Sequence, residues 1–117
     1  MERNLYYYRA IVTKVYDGDT CTVDVDLGLH TWVRGERIRL SRIDAPELRK
    51  KSREAGLRSR DFLRELILGK EIILQTIKDR RGRYGRYLGE IWLLKDGQYV
   101  NVNDLMLERG YAVPLEY

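Results

Sequence analysis

The chain has 117 residues, 44% hydrophobic and 34% charged, which suits one domain with a packed core and is too apolar for a disordered chain. The single cysteine, Cys21, and the single histidine, His30, exclude an internal disulfide, a cysteine-built zinc centre and every site that needs two imidazoles. The net charge of +4 includes sixteen Arg and six Lys; the planar Arg fork matches a phosphate bidentately, so this bias favours a phosphate-rich partner, although a basic soluble surface explains the charge equally well.

The elements follow in chain order. Residues 7–16 (YYRAIVTKVY) are β-branched and aromatic and predict a first strand. Asp17-Gly18 signals a tight turn. Residues 20–27 alternate Val23, Val25 and Leu27 against Asp24 and Asp26, the pattern of a half-buried strand. Cys21 reads as a small buried apolar residue on that strand, and His30 as a solvated loop residue. Residues 37–43 alternate Ile38 and Leu40 against Arg37, Arg39 and Ser41 and predict a third strand.

Residues 52–68 predict a helix with Ala55, Phe62, Leu63, Leu66 and Ile67 on its apolar face and Gly69 as its stop. Residues 70–77 and 86–94 predict strands four and five, and Asp96-Gly97 a further turn. Asn101 or Asn103 caps a short helix ending at Gly110. Trp32 and Trp92 read as core or rim packing. This order predicts a β-rich α+β fold over residues 1–117: a five-stranded antiparallel OB-type barrel, with a helix between strands three and four and a short C-terminal helix.

The longest aliphatic runs, at residues 66–68 and 72–74, are too short for a bilayer, so no membrane partner is expected. The N-terminal MERNLYYYRA has no apolar stretch of signal-peptide type. A cytoplasmic chain is expected, and a secreted mature form without its leader would read the same.

Charge is unevenly placed. Four Asp and no Lys or Arg lie between Asp17 and Asp26, whereas Arg34 to Arg60 holds ten basic residues against four acidic ones. A pure nucleic-acid binder has little use for an acidic cluster, which repels phosphate. A site that holds a hard cation and a phosphate together needs both signs.

Three segments supply such a site: Asp17-Gly18-Asp19-Thr20, then Arg39 through Glu47 (RLSRIDAPE), then Arg83-Tyr84-Gly85-Arg86. Each alone reads as a turn or a strand end. Together they provide two carboxylates for a divalent cation, Asp19 and Asp44, and two phosphate clamps, Arg39 and Arg86. Glu47 can take a proton from an attacking water, and Tyr84 offers a ring or a hydroxyl to a nucleotide. Arg39 and Asp44 are five residues apart and point to opposite faces of a regular strand. They converge only if the strand bends, bulges or ends between them.

These three segments, in this order, resemble the staphylococcal nuclease (thermonuclease) family over about residues 8–113. The resemblance implies an OB-type barrel that cleaves single-stranded DNA and RNA with Ca²⁺ and leaves 3′-phosphate ends. By position, Asp19 and Asp44 would ligate Ca²⁺, with the backbone carbonyl of Ala45 as a further ligand. Glu47 would be the general base or water-orienting group, Arg39 and Arg86 would stabilise the transition state, and Arg83 and Tyr84 would contact the nucleotide phosphate. A monomer is expected. Two departures stand out: Ala45 occupies a position that is commonly Thr, and the family's C-terminal nucleotide-stacking Tyr is matched only near Glu116 or Tyr117.

The alternative is a non-catalytic nucleic-acid-binding OB-type module. The presence of Asp19, Arg39, Asp44, Glu47 and Arg86 together favours the enzyme. A protein-interaction domain using its nine tyrosines is a third reading, with Tyr6-Tyr7-Tyr8 and Tyr111 as its surface. A restriction-type metal nuclease would need an acid-x-Lys element, and no Asp or Glu stands two residues before a Lys.

Overall fold

The computed structural model describes residues 6–81 and 86–115, apart from the side chains of 78–81. Arg83, Tyr84, Gly85, Glu116 and Tyr117, all singled out above, lie outside the described residues. The elements are β1 (Tyr7–Asp17), β2 (Thr20–Gly28), β3 (Thr31–Leu40), β4 (Ile43–Asp44), α1 (Arg53–Ile67), β5 (Glu71–Arg81), β6 (Tyr87–Lys95), β7 (Gln98–Asn101), α2 (Val102–Glu108) and β8 (Val113–Pro114).

Five strands close into an OB-type barrel: β1 pairs with β2 and β5, β2 with β3, and β5 with β6, all antiparallel. The ring is closed by β3 and β6, which run parallel through Ile38↔Tyr87 and Leu40↔Gly89. The all-antiparallel barrel expected from the sequence is corrected at this seam. A ring with an odd number of strands cannot alternate direction all the way round, so one pair must be parallel. The third strand is also longer than its alternation showed, starting at Thr31, and it stops at Leu40. Ile43 and Asp44 belong to a separate short strand paired with Val113 and Pro114.

The core lies inside the barrel and beneath α1. Val12, Val23, Ile38, Leu74 and Ile91 fill the barrel, and Leu63 and Ile67 close it from the helix. Cys21 is buried as expected; burial pushes its thiol up to about 12, so it stays protonated and acts as packing. His30 sits exposed in the β2–β3 turn. Trp92 is half-buried and donates its ring N–H to Gln75 Oε1 at 2.9 Å; Trp32 lies at the rim with the Arg34 guanidinium 5.0 Å over its ring.

The inward face of α1 differs from the one its large apolar residues mark. Its fully covered positions are Gly56, Ser59, Leu63 and Ile67, with Phe62 and Leu66 half-buried. Two of these four are small because the helix approaches backbone closely. A Cβ at Gly56 would lie 2.6 Å from the Glu47 carbonyl oxygen. Asn101 is the cap of α2, accepting from the Asp104 amide at 2.8 Å. Asn103 is instead completely buried; its side chain bonds the backbone of Ile91, Ser41 and Gly89 and ties α2 to the barrel.

Candidate active site

The Asp17–Thr20 turn between β1 and β2 is the floor of the site. Asp17 Oδ1 accepts from the Asp19 amide at 3.0 Å, a turn that Asp favours. The Asp19 carbonyl accepts from the Leu40 amide at 2.8 Å, which ties the turn to the end of β3. Gly18 is required by space: its φ is not positive, but a Cβ there would collide with the Ser59 hydroxyl and lie 2.7 Å from Ala45 Cβ. The turn, α1 and the Ala45 segment therefore meet at this glycine.

The convergence of Arg39 with Asp44 comes from a strand that ends. After Leu40 the chain reverses through Ser41 and Arg42, and Arg42 holds φ +70°. Asp44 thereby swings to the side occupied by Arg39. The Arg39 guanidinium then bridges two acids, with Nη1 3.1 Å from Asp19 Oδ2 and Nη2 3.3 Å from Asp44 Oδ1. Its Nη1 also donates to the Ile43 carbonyl at 3.1 Å, which fixes the fork.

Asp19 is nearly enclosed, with its side chain 8% exposed. Its Oδ2 accepts from the Ala45 amide at 2.8 Å and its Oδ1 from the Thr20 hydroxyl at 3.1 Å. Burial first, and then the neighbouring Asp17 carboxylate, push the Asp19 carboxyl up to about 6, against the opposing pull of the Ala45 N–H and Arg39. The Asp19 charge is thus poorly stabilised, chiefly because it is enclosed, even with an Arg in contact. Asp44, by contrast, is half-exposed at 53% and borders a cleft of about 200 Å³ lined by Ala45, Pro46, Tyr111, Ala112 and Val113.

Arg86 joins the same corner through Thr20, its Nη1 lying 3.3 Å from Thr20 Oγ1. Glu47 does not join it. Its carboxylate pairs with Arg49 at 2.7 Å and both side chains are mostly in solvent. Among the described residues, no group of three or more His, Cys, Asp or Glu side chains is gathered for a metal ion. The donor types nevertheless suit a hard divalent cation: two carboxylates on separate elements, the enclosed Asp19 and the half-exposed Asp44, beside the Ala45 backbone.

Thr20 and Arg42 lie inside the segments singled out from the sequence but were given no role there, and Glu90 was missed. Arg42 bonds Glu90 through Nε at 3.0 Å and Nη2 at 2.6 Å, and Asp104 through Nη2 at 2.8 Å; Ser41 also donates to Glu90. Asn101 donates to Glu90 at 3.0 Å. This clamp holds the corner that delivers Asp44. Although burial opposes it, Arg42, Ser41 and Asn101 hold the Glu90 carboxyl below its ordinary range. Arg42 stands 48 residues from Glu90 and 62 from Asp104 in the chain, so spacing carries no signal of these pairs.

Comparison with known proteins adds to this geometry. The sequence model of the family described as staphylococcal nuclease homologue matches residues 37–117. The chain is 31% identical to a thermonuclease of Staphylococcus hyicus, over 86% of this chain and 56% of that protein. It is 29% identical to a thermonuclease of Staphylococcus intermedius, over 71% of this chain and 48% of that protein. It is also 29% identical to an uncharacterized protein of Methanocaldococcus jannaschii, over 92% of this chain and 58% of that protein. The chain spans about half the length of these curated relatives.

Proposed function

Because the chain belongs to the staphylococcal nuclease homologue family, we propose that it is a Ca²⁺-dependent nuclease that cleaves single-stranded DNA and RNA and leaves 3′-phosphate ends. The observation that carries this reading is the single ion-paired corner formed by Asp19, Arg39 and Asp44, with Arg86 tied to it through Thr20. Relatives of 29% and 31% identity named as thermonucleases support the reaction class.

Asp19 and Asp44 would hold the cation, with the Ala45 carbonyl beside them. When bound, it supplies positive charge to the phosphate oxygens and acidifies water. Arg39 and Arg86 bind the scissile phosphate and meet the charge that builds as a fifth oxygen reaches phosphorus. Water attacks phosphorus, the bond to the 5′ oxygen breaks, and the products are a 3′-phosphate and a 5′-hydroxyl. Glu47 accepts the proton lost by the water, and the leaving 5′ oxygen takes up a proton from solvent water. For this role Glu47 must leave Arg49, which its exposure on the loop before α1 permits. Arg83 and Tyr84 contact the nucleotide phosphate in this reading, and the chain acts as a monomer.

A second reading, a non-catalytic nucleic-acid-binding barrel, draws on the Glu47–Arg49 pair, which keeps the proton acceptor away from the corner. One experiment separates the two. Single-stranded DNA and RNA labelled at the 5′ end are incubated with Ca²⁺ or chelator, beside Asp19→Ala, Glu47→Gln and Arg86→Lys. The nuclease reading expects Ca²⁺-dependent cleavage to phosphatase-sensitive ends, lowered about 100-fold or more in each variant. Arg86→Lys is included because a point charge does not replace a bidentate fork. Binding without cleavage, unchanged by all three substitutions, would establish the binding barrel instead.

A further inference from the structure

A second basic surface adjoins the site. The outer face of β1–β3 and one side of α1 enclose a groove of about 670 Å³ that the proposed chemistry does not use. Its lining includes Lys14, Arg37, Arg60 and Arg64 and no carboxylate. Arg60 is paired with Asp61, and Arg64 donates to the Val15 carbonyl at 3.2 Å. Lys14 and Arg37 are exposed, and among the described residues neither carries a salt bridge.

Strand register explains why these two cations stand together. Lys14 pairs with Thr22 and Thr22 with Arg37, so the three side chains form one row across three strands, all on the face turned away from the core. The next row on the same face, two residues along, is Thr20 with Arg39. Two residues of strand are about 7 Å. The row of Lys14 and Arg37 therefore lies one step from the corner where Arg39 meets Asp19. Thr20 belongs to both, since it lines the groove and bonds Asp19 and Arg86. Tyr16, 63% exposed, stands on the wall as a flat apolar surface. Further along β2 the same face carries Asp24, paired with Arg34 at 3.0 Å, and Asp26.

We propose that this groove is a backbone-binding track. It carries a single nucleic-acid strand away from the Asp19–Arg39 corner, with phosphates on Lys14 and Arg37 and a base against Tyr16. Cations set beside hydroxyls and an exposed aromatic ring are the recurring means of holding a single strand without reading its sequence. The inference rests on the reading that the chain acts on nucleic acid, and goes beyond it by placing the strand outside the reacting groups.

The test measures binding without cleavage. Fluorescence anisotropy of an oligothymidylate of roughly 12 nucleotides, and of a trinucleotide, is followed in chelator at about 0.1 M salt. Lys14→Glu and Arg37→Glu are compared with Lys95→Glu, an equal charge change at the exposed last residue of β6, the end far from the site. Each groove variant should weaken the long strand about tenfold more than Lys95→Glu does. Each should also make the slope of log affinity against log salt shallower, by about 0.7 for every phosphate the variant no longer neutralises. Groove variants that track Lys95→Glu, a wild-type protein that holds the long strand no better than the trinucleotide, or equal displacement by polyglutamate would overturn the track. Wild-type protein that fails to cleave with Ca²⁺ but still binds through Lys14 and Arg37 would sink the nuclease reading and leave the track standing. If a charge reversal unfolds the protein, Lys14→Gln and Arg37→Gln make the same comparison at smaller amplitude.

Discussion

Asp19→Asn should stabilise the metal-free protein at neutral pH, although it removes a charge that touches Arg39. The Asn carbonyl still accepts the Ala45 N–H, and Arg39 keeps Asp44. What disappears is a carboxylate that burial and Asp17 hold at about 6 against an ordinary 3.8. A raised carboxyl means that the folded protein binds the proton more tightly than the unfolded chain. Its contribution is fully present below about pH 3.8 and is lost as pH rises through about 6. A difference of that size corresponds to about 3 kcal/mol. The stability of Asp19→Asn minus that of wild type should therefore grow by up to about 3 kcal/mol across this window and then level off. Urea unfolding followed by Trp fluorescence, in chelator, over a pH series on both proteins measures it; carboxylates remote from Asp19 cancel in the difference, whereas Asp17 and Asp44, coupled to it directly and through Arg39, do not. A divalent cation held by Asp19 should shrink the gap at neutral pH. A difference that stays flat across the window, or that falls as pH rises, would refute the account of Asp19 as a poorly stabilised buried charge.

Gly18→Ala should destabilise the protein by about 1–3 kcal/mol, because the added methyl meets Ser59 and Ala45 in a closed corner; thermal unfolding of the variant checks it. Arg42→Ala should cost about 1 kcal/mol by leaving the mostly covered Glu90 without its ion partner, the Arg42 side chain being half-exposed; urea unfolding of the variant measures it. A cycle of Arg42→Ala, Glu90→Ala and the double variant should return a coupling of about 1 kcal/mol or more, whereas additive losses would show that the clamp is only a surface pair.

The parts of the site that were legible in the sequence are those set by neighbouring residues. Asp17-Gly18 announced a turn, the alternation around Ile38 and Leu40 announced a strand, and Asp44-Ala45-Pro46 announced a segment leaving it. The parts that were not legible depend on residues far apart in the chain. Leu63 and Ile67 gave the helix away through apolar spacing, but Gly56 and Ser59, which set how closely it approaches, carry no apolar signal. Arg39 and Asp44 pointed apart by strand periodicity and came together because the strand stops at Leu40 and turns at Arg42.

Residue order alone was enough for the succession of five barrel strands and two helices, the burial of Cys21, the acidic and basic blocks, and the family likeness of the three segments. These follow from local periodicity, turn chemistry and charge, which act between residues a few positions apart. The folded chain was needed to show that β3 and β6 close the barrel in parallel and that Arg39 is shared between Asp19 and Asp44. It was needed as well to show Glu47 turned toward Arg49, and Lys14 and Arg37 brought into one row. Register, strand ends and ion-pair partners are set by packing between distant segments, and no spacing within one strand encodes them.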